Sequence, residues 1–167
     1  MNSKTDENIL YKAPEFEVNQ WIDASGNSIE PIRLSDFKGK FKVVYCFQSW
    51  CSGCHSQGFP SLKKMIDALK GTKEVVFLAV QTVFEGHHEN TFDKIIETQK
   101  QYDLEIPFGH DPGDENTGNR SRIMMSYRTG GTPWFIFIDQ HDTIVFGNFH
   151  LNADKAIEVL KTIQQIG

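Results

Sequence analysis

A chain of 167 residues, 39% of them hydrophobic and with 13 Phe and 3 Trp among them, is long enough for one domain with a self-sufficient core. Seventeen Lys and Arg against 22 Asp and Glu give a net charge of −5, and no basic run interleaves with aromatics, which argues against nucleic acid as a partner. No apolar stretch nears the ~20 residues of a membrane span, and the polar start Met1–Asn8 lacks the apolar region of a secretory signal. A cytoplasmic location is therefore expected, or an extracytoplasmic one if a leader has been removed.

Residues 1–12 are expected to form a loose arm before a single domain over 13–167, with no repeat or linker to divide it. Phe16–Trp21 alternates and predicts a strand, with a turn at Ala24–Asn27. Lys42–Phe47 is a short apolar run rich in β-branched and aromatic residues, which suits a strand buried on both faces. Leu62, Met65, Ile66 and Leu69 recur at helical spacing, and Gly71 closes that helix. Val75–Val80 predicts a second buried strand.

Thr91–Gln101 predicts an amphipathic helix with Phe92, Ile95 and Ile96 on one face and Asn90 or Thr91 as its cap. Ile106–Phe108 predicts a short strand, Asp111–Asn119 an exposed polar loop, and Ile123–Tyr127 a short helix. Trp134–Ile138 and Thr143–Phe146 predict an antiparallel hairpin, and Ala153–Ile166 a last helix with Ile157, Leu160 and Ile163 turned inward. Helices alternating with central strands make the fold class α/β, a sandwich.

The chemistry concentrates at Trp50-Cys51-Ser52-Gly53-Cys54-His55, directly after the Lys42–Phe47 run. Two cysteines with two residues between them can close a small disulfide. A strand-to-helix junction there leaves Cys51 at a helix N-terminus, where amide groups and the helix dipole favour the thiolate. Thiolates attack disulfides. Cys51 is the candidate attacking thiol, and Cys54, one turn inside the helix, the candidate resolving thiol. Cys46 is left over and sits in an apolar strand, which favours an inert buried thiol.

This motif, together with Gly130-Gly131-Thr132-Pro133 ahead of the Trp134–Ile138 strand, resembles the thioredoxin superfamily. Ala13-Pro14-Glu15-Phe16, Leu34–Lys40 and Ile138-Asp139 are similar to its TlpA/ResA-type and redoxin (peroxiredoxin-like, AhpC/TSA) branch, and the likeness runs from Ala13 to Ile166. The resemblance implies a thioredoxin-like sandwich with a central mixed β-sheet flanked by helices on both faces. It implies a thiol–disulfide oxidoreductase that works through a mixed disulfide, with the Cys51–Cys54 pair as its redox-active disulfide and no separate cofactor. The implied partners are a protein or small-molecule disulfide substrate and a thiol/disulfide redox partner, served by a monomer. Pro133 is implied to be cis, the backbone of Thr132 to pair with the substrate, and Trp50 to pack beside the sulfur and shape the substrate surface.

His55 directly follows Cys54 and could supply positive charge that lowers the thiolate pKa. His87, His88, His110, His141 and His150 are read as surface residues. The chain departs from the family at three places. Tyr45 stands where thioredoxins carry a buried Asp, and Gln57 where ResA-type proteins often carry Glu. Neither usual proton acceptor is therefore present, which leaves His55, water or an acid such as Glu85. Pro60 falls one residue late with Gly58 before it, which predicts an extra residue or bulge at the helix start.

Three other readings compete. Cys51-x-x-Cys54-His55 also spells the c-type haem attachment string, which requires export and an axial partner. A peroxiredoxin-like thiol peroxidase is an alternative, although Gln48 and Val44 occupy the Thr and Pro positions of the peroxide cradle. A thioredoxin-fold module binding Cu or Zn through two thiolates is another, although such copper chaperones place three residues between their cysteines.

Overall fold

In the computed structural model, which describes residues 11–166, Phe41–Phe47 forms a strand with every residue buried. Alternation along it sends side chains to two cores. Phe41, Val43, Tyr45 and Phe47 enter one, and Val44 and Cys46 enter the other. Burying each large apolar side chain contributes about 1.5–3 kcal/mol, so a strand apolar on both faces belongs in the middle of the sheet.

That strand is β4 of eight among the described residues, the others being β1 (Tyr11–Lys12), β2 (Gln20–Ile22), β3 (Ser28–Ile29), β5 (Val75–Thr82), β6 (Phe108–Asp111), β7 (Trp134–Ile138) and β8 (Thr143–Asn148). They form one open mixed sheet in the order β1-β8-β7-β4-β5-β6-β2-β3. β4 runs parallel to β5 and antiparallel to β7, and Cys46 lies opposite Trp134. This pairing brings the end of β4 and the start of β7 to the same edge of the fold. Among the described residues the four α-helices are α1 (Phe59–Ala68), α2 (Phe92–Gln101), α3 (Arg122–Ser126) and α4 (Ala153–Ile166). Leu62 and Met65 of α1, Ile95 of α2, and Ala156, Leu160 and Ile163 of α4 fill one core. The opposite face is covered by the short α3 and by the N-terminal segment through Phe16, Trp21, Ile32 and Leu34.

Several boundaries differ from the sequence expectation. The alternating run at 16–21 is a strand only from Gln20, because Glu17 takes a left-handed φ of 54° that breaks the extended run. Phe16 and Val18 are buried nonetheless. The expected arm over residues 1–10 lies outside the described residues, and Tyr11–Lys12 pairs with β8. The strand expected at Ile106–Phe108 starts at Phe108, and Pro107 contributes only its carbonyl, which accepts from the Ala79 amide. Asp111 and Thr117 of the expected exposed loop are buried, and so is His110, read above as a surface residue. His110 faces inward because its β6 position lies opposite Gln81, whose Nε2 contacts its Nδ1 at 3.0 Å. Burial, and then the neighbouring His87, push its pKa down to about 4.

Two buried charged groups tie elements together. Lys42, fully buried on β4, donates to Asp142 Oδ1 at 2.7 Å and to the Lys40 carbonyl at 2.9 Å. Asp111 accepts from Ser121 Oγ at 2.5 Å, from the Arg122 amide at 3.0 Å and from the Ile123 amide at 2.9 Å, which anchors the start of α3 to the end of β6.

Candidate functional site

After Phe47 the chain turns through Gln48–Trp50, closed by the Cys51 amide donating to the Gln48 carbonyl at 3.1 Å. Cys51 then occupies the capping position of the helix that follows. Its sulfur accepts from the Cys54 amide at 3.2 Å, and its carbonyl accepts from the His55 amide at 3.3 Å. A thiolate here satisfies one of the open amides every helix start presents. Cys51 is partly exposed, whereas Cys54 is fully buried one turn further in.

The two thiols are driven apart. The Cys54 thiol donates toward Cys51 and holds it ionised; burial opposes this, the Thr132 hydroxyl and the Cys54 amide add to it, and His55 contributes last. The result lowers the Cys51 pKa to about 6. Burial, reinforced by the bond to Cys51, pushes the Cys54 thiol far up. At neutral pH the pair thus carries one proton, on Cys54. The unfolded thiol ionises near ~8.5, so the stabilisation from this group is complete above that value and is lost as pH falls through about 6. Cys46 is fully buried and its pKa is raised by burial and by Asp111, so it is not a reactive thiol at neutral pH.

Thr132 and Pro133 meet the cysteines from β7. The Thr132–Pro133 peptide bond is cis, and a Cβ placed on Gly53 would touch Pro133 Cδ at 3.4 Å, so the two segments lie in van der Waals reach. The Phe149 ring rests on Gly130 and Gly131, where added Cβ atoms would meet it at 3.1 and 3.2 Å. Trp50 is 48% exposed. Its indole lies on Gly86 and meets the His88 ring edge-on; Gly86, at φ +61°, has no room for a side chain beneath it.

His55 is held by other groups. Its Nε2 lies 2.6 Å from the Ser49 carbonyl and its Nδ1 contacts the Tyr102 hydroxyl. The carbonyl only accepts, so Nε2 carries the proton of that contact, and Nδ1 is engaged by the Tyr102 hydroxyl. The ring is therefore a clamp between the turn and α2, with neither nitrogen free to ligate a metal. Iodoacetamide alkylation of Cys51 should accordingly rise with pH through a midpoint near 6. Thr132→Val should raise that midpoint, and His55→Ala should move it less. Superimposable curves for the wild type and Thr132→Val would reject the hydroxyl's part.

What sequence reasoning missed is the bracing role of two buried amides. Gln48 Oε1 accepts from the Phe84 and Glu85 amides at 3.1 and 3.4 Å. An acceptor committed in this way does not form a peroxide cradle. Asn90, expected as a possible helix cap, leaves that position to Thr91 and accepts from Ser49 N and Oγ at 2.6 and 2.7 Å. Its Nδ2 donates to the Glu85 and Gly86 carbonyls. Glu85 itself is exposed. Among the described residues no group of three or more His, Cys, Asp or Glu is placed to hold a metal, and no helix is long and apolar enough to cross a membrane.

The extra residue expected before Pro60 is accommodated as a π turn over Cys54–Gly58, in which the Phe59 amide donates to the Cys54 carbonyl five residues back. Tyr45 donates from its hydroxyl to the same carbonyl at 2.9 Å.

Comparison with known proteins agrees with this architecture. A thiol-disulfide oxidoreductase ResA of Bacillus cereus is 28% identical over 134 residues, a match spanning 80% of this chain and 65% of that protein. This chain thus spans less than two thirds of that relative's length. The crystal structure of a thioredoxin-like superfamily protein superposes with a TM-score of 0.80 at 31% identity, over 92% of this chain and 96% of the other. A thiol-disulfide isomerase from Corynebacterium glutamicum shares the fold, with a TM-score of 0.75 at 24% identity over 91% and 96%. The AhpC/TSA family profile matches residues 9–146, most of the chain, and this protein belongs to that family.

Proposed function

We propose that this protein is a thiol–disulfide oxidoreductase in which Cys51 attacks and Cys54 resolves. The observation that carries this reading is the division of labour between the two sulfurs. Cys51 is a partly exposed helix-capping sulfur that ionises at about 6, and Cys54 is buried directly behind it with its proton retained. The Cys51 thiolate attacks one sulfur of a substrate disulfide. A Cys51–substrate bond forms, the substrate S–S bond breaks, and the departing thiolate takes a proton from water. Cys54 then gives up its proton and attacks the Cys51 sulfur. The Cys51–Cys54 disulfide forms, the second substrate thiolate leaves, and two electrons have passed from the protein to the substrate. A thiol redox partner runs the same steps backwards to restore the dithiol.

The substrate approaches beside Pro133. In this reading Thr132 offers its backbone to an extended substrate segment and its hydroxyl to the Cys51 sulfur, and Trp50 supplies an apolar wall. The thioredoxin-like relatives named as thiol-disulfide oxidoreductases and isomerases support the assignment. No resident cofactor takes part in it, and one copy of the chain carries both sulfurs.

The test is an equilibrium with glutathione buffers of graded potential. The protein should interconvert between a dithiol and an intramolecular Cys51–Cys54 disulfide, two hydrogens lighter. A potential near the ~−270 mV of thioredoxin assigns it to reduction in a cytoplasmic setting, and one near the ~−120 mV of DsbA to oxidation outside it. A protein that stays a dithiol throughout, or pairs only between chains, sinks the proposal.

A further inference from the structure

Tyr45 is the largest polar side chain in the core next to the cysteines, and the reaction steps above do not use it. It is fully buried, and its ring packs against Phe59, Phe135 and Phe47 with centroids 4.8, 4.9 and 5.9 Å away. Its hydroxyl donates to the Cys54 carbonyl at 2.9 Å. That carbonyl also receives the Phe59 amide across the π turn, so both of its lone pairs are engaged. Burial, reinforced by the nearby cysteines, raises the phenol's pKa, and it remains a donor across any working pH.

Gly58 makes this bond possible. Its φ of −64° and ψ of −57° are ordinary helical values, so no backbone requirement calls for glycine there. Space does: a Cβ at position 58 would lie 2.0 Å from the Tyr45 hydroxyl and 2.7 Å from Cζ. The π turn carries one residue more than an α turn would between Cys54 and Phe59, and that residue is the one without a side chain.

We propose that Tyr45 and Gly58 are a matched pair that positions Cys54 for the resolving step, the phenol holding the Cys54 carbonyl and the glycine leaving the room it needs. The inference rests on the dithiol reading above. Resolution requires the Cys54 sulfur to reach the Cys51 sulfur on the side opposite the departing thiolate, so that the Cys54–Cys51 bond forms as the Cys51–substrate bond breaks. Cys54 must also shed a proton that burial retains. A step that starts from a buried thiol and needs a fixed line of approach depends on how its backbone is held. Attack by Cys51 starts from a thiolate already formed at the surface and does not need the phenol. Tyr45 is thus a positioning residue acting through the Cys54 main chain.

The experiment uses the reduced protein and the aromatic disulfide dithiobis(nitrobenzoate), whose two coloured thiolates leave separately. Attack by Cys51 releases the first, and resolution by Cys54 releases the second. Tyr45→Phe keeps the ring and removes the hydroxyl. The first release should keep its wild-type rate, and the second should slow about tenfold, the size of one lost neutral hydrogen bond. Gly58→Ala displaces the hydroxyl from the other side and should slow the second release in the same way. Added to the Tyr45→Phe protein, Gly58→Ala should slow it by a smaller factor than in the wild type. A second release at wild-type speed in Tyr45→Phe overturns the inference. So does equal slowing of both releases, which would make the hydroxyl only a support of the fold. A wild-type protein that gives no second release removes the dithiol reading itself, and this inference with it.

Discussion

Cys51→Ser is expected to reduce disulfide exchange to the rate of buffer alone, and Cys54→Ser to leave attack intact but halt at the covalent adduct. The asymmetry follows from the protonation of the two sulfurs. With a pKa of about 6, Cys51 is mostly thiolate at pH 7, whereas a free thiol near ~8.5 is only a few per cent ionised there. Removing Cys51 leaves Cys54, which is buried and protonated, and Cys46, which is buried in the opposite core. Neither can replace it. Removing the Cys54 sulfur leaves the nucleophile in place, and the serine hydroxyl of Cys54→Ser can still donate to it. The Cys54→Ser protein incubated with a disulfide-bonded peptide should therefore accumulate a mixed disulfide at Cys51, read by intact mass and reversed by reductant. Equal trapping by the two single variants would reject the assignment of roles.

Asp111→Ala should destabilise the fold by about 4 kcal/mol. Its two carboxylate oxygens accept from one hydroxyl and two amides, and the residue is buried. Truncation strands those donors, each costing ~1–3 kcal/mol when it has no partner, and removes the anchor of α3. For a chain of this size that corresponds to a melting temperature lower by about 12 °C. Asp111→Asn keeps one accepting oxygen and should fall between the wild type and Asp111→Ala. A loss below ~1 kcal/mol for the alanine variant would mean that α3 is held from elsewhere. The pH dependence runs opposite to that of a paired surface acid. Burial raises the Asp111 pKa against the lowering effect of its donors, so its ionisation costs stability as pH climbs through the folded value, and low pH relieves that cost.

Local patterns carried most of the architecture. The 41–47 and 75–80 runs, the helical spacing of Leu62, Met65 and Leu69, and the hairpin across Asp139–Asp142 all report contacts a few residues away or a face repeated at fixed period. The sulfur pair and Thr132-Pro133 were legible as motifs, and the late position of Pro60 signalled the extra residue in the turn. The supports of the site were not legible. Asn90 reaches Ser49 across 41 positions, Tyr102 reaches His55 across 47, and Gln48 reaches Phe84 across 36. Single long-range hydrogen bonds leave no periodic trace in a chain. His110 misled for a related reason: it adjoins a polar stretch in sequence, but its side of β6 is decided by register with β5.

The buried pair of Lys42 and Asp142 has a consequence for the distant cysteines. Lys42 lies one place into β4, at the end far from Cys51, opposite Ile138 of β7. Slipping β4 by one position against β7 would turn its side chains over, exposing Phe41, Val43 and Tyr45 to the wrong layer. It would also carry an ammonium group away from the carboxylate that neutralises it. A misaligned sheet would thus strand a charge inside the protein, a far larger penalty than a few misplaced methyl groups. At the other end of the same pairing, where Cys46 lies opposite Trp134, that alignment sets how Cys51 and Thr132 meet just beyond the two strands. The ion pair therefore acts as a key cut for one setting of the lock: the register that brings Cys51 and Thr132 together is the one in which Lys42 and Asp142 are paired.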